Sequence, residues 1–150
     1  MYKEILVPLD GSELAESALP HARELAKAFG ARVTLFSVVE PIGLYSQPGK
    51  VGPVISVTLN IQEEMAKLRE YLENMVRDFK EAGVEAQAVV REGDAASQIC
   101  DFARETGTDV IVMSTHGRSG IRRWVYGSVA DRVLRGATVP VLLIRSGKPE

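Results

Sequence analysis

The sequence predicts a single-domain, doubly wound α/β fold: a mainly parallel five-stranded sheet with helices on both faces. Three observations predict it. Short apolar runs of strand length alternate with longer segments whose apolar residues recur at helical spacing. A helix follows nearly every strand, which supplies the crossover that parallel strands need. No internal repeat or low-complexity segment interrupts the alternation, and 150 residues with 45% hydrophobic content suit one domain spanning 1–150.

Residues 3–9 contain the run Ile5-Leu6-Val7-Pro8-Leu9, too short for a buried helix and typical of a strand covered on both faces. After Asp10-Gly11-Ser12, apolar residues at Ala15, Ala18, Leu19, Ala22, Ala26 and Phe29 mark a helix. Ser12 is its expected N-cap, Gly30 its stop, and Pro20 a kink within it. Val33–Val39 reads as the second strand. The stretch 40–59, with Pro41, Gly43, Pro48, Gly49, Gly52 and Pro53, reads as one long loop. Asn60 and Glu63 resemble a capping box opening a long helix whose apolar face is Ile61, Met65, Leu68, Leu72, Met75, Val76 and Phe79, ending at Gly83. A strand at 84–90, a helix from Asp94 to about Thr106, a strand Asp109–Ser114, a helix from Ser128 and a strand Val139–Arg145 complete five strands and four helices.

Composition narrows function. The formal net charge is -2 with acids and bases interspersed, so no strong field favours nucleic acid. The single cysteine, Cys100, forms no internal disulfide and is expected to be a buried small hydrophobe. His21 and His116 are too far apart in sequence to mark a metal cluster, and His21 takes no role. No run approaches the roughly 20 apolar residues that span a membrane, and a soluble cytoplasmic protein is expected.

In open α/β sheets ligands bind beyond the carboxyl ends of the strands, where strand order reverses. Two loops there carry chemistry. In Pro8-Leu9-Asp10-Gly11-Ser12, the acid suits a ribose, a base or a cation near phosphates; a helix cap with a turn glycine is the plainer reading. The second loop, Ser114-Thr115-His116-Gly117-Arg118-Ser119-Gly120 with Gly127-Ser128 after it, is richer. Its glycines allow close backbone approach to an anion, and Ser128 begins a helix whose unpaired N–H groups favour negative charge. Neither a GxxxxGK[ST] loop nor a GxGxxG after the first strand is present.

On these residues the chain resembles an ATP-binding universal stress protein along essentially its whole length. The family motif is G-x2-G-x9-G-[ST]; Gly117 takes the second glycine and Gly127-Ser128 closes it, while Ser114 replaces the first glycine. A serine there would weaken binding if the backbone required positive φ or very close ligand contact. The run Ile5 to Ser12 and the ending Thr138-Val139-Pro140-Val141-Leu142-Leu143-Ile144 also match. The resemblance implies strand order 3-2-1-4-5, with Asp10 and Ser114 in one crevice. It implies that Pro8, Asp10 and Val38 hold the adenosine part and that Met113 and Ser114 lie near base or ribose. Gly117, Arg118, Ser119 and Gly120, next to His116, would wrap the phosphates, with Gly127, Ser128 and Val129 presenting helix-start amides. ATP, AMP or ADP is the implied ligand, with Asp10 as the residue that would meet Mg2+. A homodimer through Val139–Ile144 is implied as well, and pairing would cover an apolar edge strand.

The function expected is therefore a nucleotide-dependent switch or binding module in stress response. Two rivals are an Mg-dependent ATP hydrolase or phosphotransferase, and a nucleotide-free dimeric interaction module of the same fold. His116 lacks an evident third group to orient it as a base. Arg122 and Arg123 read as a solvated face, and Trp124 and Tyr126 as packing or partner contacts.

Overall fold

The computed structural model describes residues 1–41, 54–116 and 127–145, with the backbone alone for 54–60. The strands are β1 (Glu4–Pro8), β2 (Arg32–Val39), β3 (Ala86–Glu92), β4 (Val110–Ser114) and β5 (Val141–Ile144). They form one parallel sheet in the order β3-β2-β1-β4-β5, as expected. The helices are α1 (Glu13–Glu16), α2 (Leu19–Phe29), α3 (Val54–Glu81), α4 (Ala95–Glu105) and α5 (Ser128–Gly136).

Alternate strand residues face opposite sides, and both sides are buried. On one side Ile5, Val7, Val33, Leu35, Val110 and Val112 pack with Ala22 and Ala26 of α2 and Leu72, Val76 and Phe79 of α3. On the other, Leu6, Phe36, Ile111 and Met113 pack with Ile99 and Phe102 of α4 and Val133 of α5.

Several boundaries differ from expectation; β3, expected over 84–90, runs Ala86–Glu92, and three further differences have a local cause. The first helix is two: α1 ends where Ser17 Oγ donates to the carbonyl of Leu14 at 2.7 Å, and Pro20 sits at the start of α2. Proline cannot donate to the preceding turn, so the break falls just before it and not as a kink within one helix. The long helix begins at Val54, so Asn60 lies inside it and the Asn60–Glu63 pair is not its cap. The loop expected over 40–59 therefore ends by residue 53; residues 42–53 lie outside the described ones. Finally β5 starts at Val141, because Pro140 has no N–H; its carbonyl still accepts from Ile111 N at 2.9 Å. Among the described residues no helix is long and apolar enough to cross a membrane.

The chain builds β1, β2 and β3 outward in one direction and β4 and β5 in the other, so the order reverses between β1 and β4. Their ladder pairs Ile5 with Val110 and Leu6 with Ile111, while β1 runs on to Pro8 and β4 to Ser114. Pro8 has no N–H to extend the pairing. A crevice opens there.

Candidate functional site

A cleft of about 250 Å³ occupies this crevice. Its walls include Pro8, Asp10, Val38, Met113, Ser114, His116, Gly127, Ser128 and Val129, so nine residues singled out in the sequence meet in one place. Gly117, Arg118, Ser119 and Gly120 lie outside the described residues, as do Arg122, Arg123, Trp124 and Tyr126.

Local chemistry fixes each wall. Leu9 N donates to the Phe36 carbonyl at 2.8 Å, and the buried Ser37 hydroxyl donates to the Leu9 carbonyl at 2.7 Å. This holds the exit of β1 against β2. Gly11 then turns the chain at φ 87, where a side chain would be strained. Asp10 Oδ1 accepts from Ser12 N at 3.0 Å and from Ser12 Oγ at 2.5 Å, while Ser12 Oγ accepts from Ala15 N to cap α1. The helix cap and an acid that lines the cleft are thus one unit, as the plainer reading of that turn expects.

Across the cleft, β4 ends at Ser114, 5% exposed. No non-glycine residue among those described has positive φ, so the serine carries no backbone strain. Thr115 gives its N–H to the Ile144 carbonyl at 2.9 Å and accepts from Gly127 N at 2.7 Å. His116 is half-buried, its Nδ1 3.0 Å from Thr115 Oγ1. Gly127 is needed for close approach: a Cβ on it would stand 2.9 Å from the Thr115 carbonyl oxygen.

Two helix starts converge here, and they differ. At α4, Asp94 accepts from Ser97 N at 3.0 Å and Glu40 accepts from Ala95 N at 3.1 Å, so carboxylates already answer its positive end. At α5 the N-cap is Gly127, with no side-chain cap. The first-turn amides of Ser128 and Val129 have no intrahelical acceptor, and both residues line the cleft. Asp94 also binds Arg132 of α5 through two contacts of 2.8 and 2.7 Å, which ties the two helices together and holds its carboxyl well below the usual range.

Apart from Thr115, the remainder of the lining is apolar: Leu9, Ala15, Phe36, Ala95, Ile99 and Ala130. Sequence reasoning did not single these out for the site, since an apolar residue facing a cleft reads like one facing the core. Thr115 was missed as the carbonyl partner of Gly127. Cys100, expected to be buried, is half-buried beside Gly136, and burial pushes its thiol pKa up. Among the described residues no group of three His, Cys, Asp or Glu side chains is placed to hold a metal, so Asp10 would need ligands from elsewhere.

Comparison with known proteins agrees with this architecture. Residues 1–145 match the universal stress protein family. Universal stress protein MJ0531 of Methanocaldococcus jannaschii is 35% identical over 150 residues, covering 100% of this chain and 86% of that protein. The structure of MJ0577, from the same organism, superposes with a TM-score of 0.80 at 27% identity, covering 99% of each chain. A universal stress protein from Archaeoglobus fulgidus, solved in complex with dAMP, shares the fold at a TM-score of 0.62 and 24% identity, covering 95% of this chain and 98% of that one. This chain belongs to the universal stress protein family.

Proposed function

We propose that the cleft binds an adenine nucleotide, ATP or its AMP and ADP forms, and that the chain acts as a nucleotide-dependent switch or binding module in stress response. The observation that carries this reading is the start of α5, without a side-chain cap among the described residues, opening into a cleft with a largely apolar remainder. An apolar slot beside an anion cradle suits a ligand with a flat base at one end and phosphates at the other. In this reading Pro8, Asp10, Val38 and Met113 receive base and ribose. Ser114 and His116 lie between, and Gly127, Ser128 and Val129 face the phosphates, with the segment Gly117 to Gly120 around them. Mg2+ would reach Asp10 only as part of a metal–nucleotide unit, since phosphate oxygens and water supply its other ligands. The dAMP complex of the Archaeoglobus fulgidus protein supports the choice of an adenine nucleotide.

The chain is further read as a cytoplasmic homodimer joined along β5, an edge strand whose Leu142 is 41% exposed. Titration of purified protein with ATP and AMP, together with mass analysis of any co-purifying nucleotide, tests the central claim. One nucleotide per chain is expected. Absence of binding at millimolar nucleotide refutes the reading, and Mg-dependent ATP turnover far above background moves the protein to the hydrolase class.

A further inference from the structure

Ser114 stands where the family motif has glycine, and its surroundings say what the added atoms do. It closes β4 in register with Ile144, is buried, and walls the cleft. From an unstrained strand backbone its Oγ donates to the His116 carbonyl at 2.9 Å and accepts from the His116 N–H at 3.3 Å. One hydroxyl thus serves both backbone groups of the residue two positions on, the short-range pattern by which serine stabilises turns. Glycine there would withdraw that partner from both.

We propose that Ser114 is a positioning residue: its hydroxyl sets the turn Ser114-Thr115-His116 against the start of α5 before any ligand arrives. The inference rests on the cleft being the nucleotide site. Its reach to the ligand runs through Thr115, which lies between the two ends of the tether. Thr115 gives its carbonyl to Gly127 N at 2.7 Å, and the N–H of the same residue is held by Ile144 at 2.9 Å. Holding this turn holds the oxygen against which α5 begins, and hence the placement of the helix-start amides. A wall already ordered lowers the cost of ordering it on binding. Serine therefore strengthens binding here, the opposite of the weakening that replacement of a motif glycine suggests.

The test is calorimetric titration of AMP and of ATP into the parent, Ser114→Gly and Ser114→Ala, with amide hydrogen exchange on the nucleotide-free proteins. Both variants are expected to bind roughly three- to tenfold more weakly, the size of one lost net hydrogen bond. Exchange at the His116 amide should quicken in both while amides of β1 and β2 keep the parent's rates, a local change that a merely structural role would not confine to the turn. A Ser114→Gly variant that binds as tightly as the parent, or tighter, overturns this inference and leaves the site reading standing. So does unchanged exchange at His116. A parent that binds neither nucleotide overturns the site reading, and this inference with it.

Discussion

Replacing Gly127 with alanine puts the site geometry under the most direct strain. The new Cβ would stand 2.9 Å from the Thr115 carbonyl oxygen and 3.6 Å from the His116 Cα. A carbon and a carbonyl oxygen in close but ordinary contact lie about 3.3–3.6 Å apart, so the shortfall is about 0.4–0.7 Å. That oxygen is no flexible tip: it already accepts from Gly127 N at 2.7 Å. Gly127 has φ -54 and ψ 150, which any residue can adopt, so the whole penalty is contact. Overpacking of this kind costs about 1–3 kcal/mol, and the stiffer unfolded chain returns about 0.4–1 kcal/mol. The net loss is then about 0–2.6 kcal/mol, a fall in thermal midpoint of up to roughly 10 °C for a domain of this size. If α5 instead backs away from Thr115, stability survives and the helix-start amides move, and displacement on this scale costs about tenfold or more in affinity. Thermal unfolding and AMP titration on one sample separate the two routes. A Gly127→Ala protein with the parent's midpoint and the parent's affinity refutes the described start of α5.

Gly136→Ala is the contrasting change: it falls at the last residue of α5 with Cys100 Sγ 3.4 Å from the new carbon, and helix propensity should leave the urea midpoint unchanged or raise stability by up to about 1 kcal/mol. A clear loss would mean that Cys100 cannot give way. Among the described residues the buried Tyr71 hydroxyl meets no partner in good hydrogen-bond geometry, only a looser approach to the Glu16 carboxylate, and burial, with the carboxylates of Glu16 and Asp10, pushes its pKa well above the ordinary value. Tyr71→Phe should therefore be neutral or stabilising by up to about 1 kcal/mol in urea unfolding, and a loss larger than that refutes the orphaned hydroxyl. Arg132→Met should lower the urea midpoint modestly at pH 7, by about 1 kcal/mol or less for so exposed a pair. Because the folded pKa of Asp94 is depressed, its contribution is complete above the unfolded value of about 3.9 and is lost as pH falls below it. The gap between parent and variant should thus hold from pH 7 to 5 and narrow towards pH 3; a gap that widens on acidification refutes the pairing.

How far the sequence could be read depended on whether a feature is local. The strands were legible because both faces are covered, so runs such as Ile5-Leu6-Val7 carry no polar alternation and cannot be mistaken for surface. The split at Pro20 was half legible: the residue announces a disturbance, but whether a helix bends or breaks depends on whether Ser17 finds the Leu14 carbonyl first. The start of α3 was misread because Asn60 followed by Glu63 has the chemistry of a cap wherever it stands, and nothing local excludes a helix already under way from Val54.

The site divides along the same line. Gly127-Ser128 could be read because a glycine before a helix start is a backbone statement, and the structure gives it a cause in the Thr115 oxygen. The helix start at Asp94 was legible too, though not that Asp94 caps it. What was not legible is that Glu40, from the end of β2, meets α4's first amide, or that Arg132 pairs with Asp94 across 38 positions. Those contacts answer the first amides of α4 and leave α5 without a side-chain cap. With the first amides of α4 answered by carboxylates and α5 headed by a residue without a side chain, the proposed nucleotide reading puts the phosphate at the start of α5. Phe36 and Ile99 add apolar wall to the same cleft. In the proposed reading the orientation of a nucleotide therefore follows from charge placed by tertiary contacts, which the motif alone does not reveal.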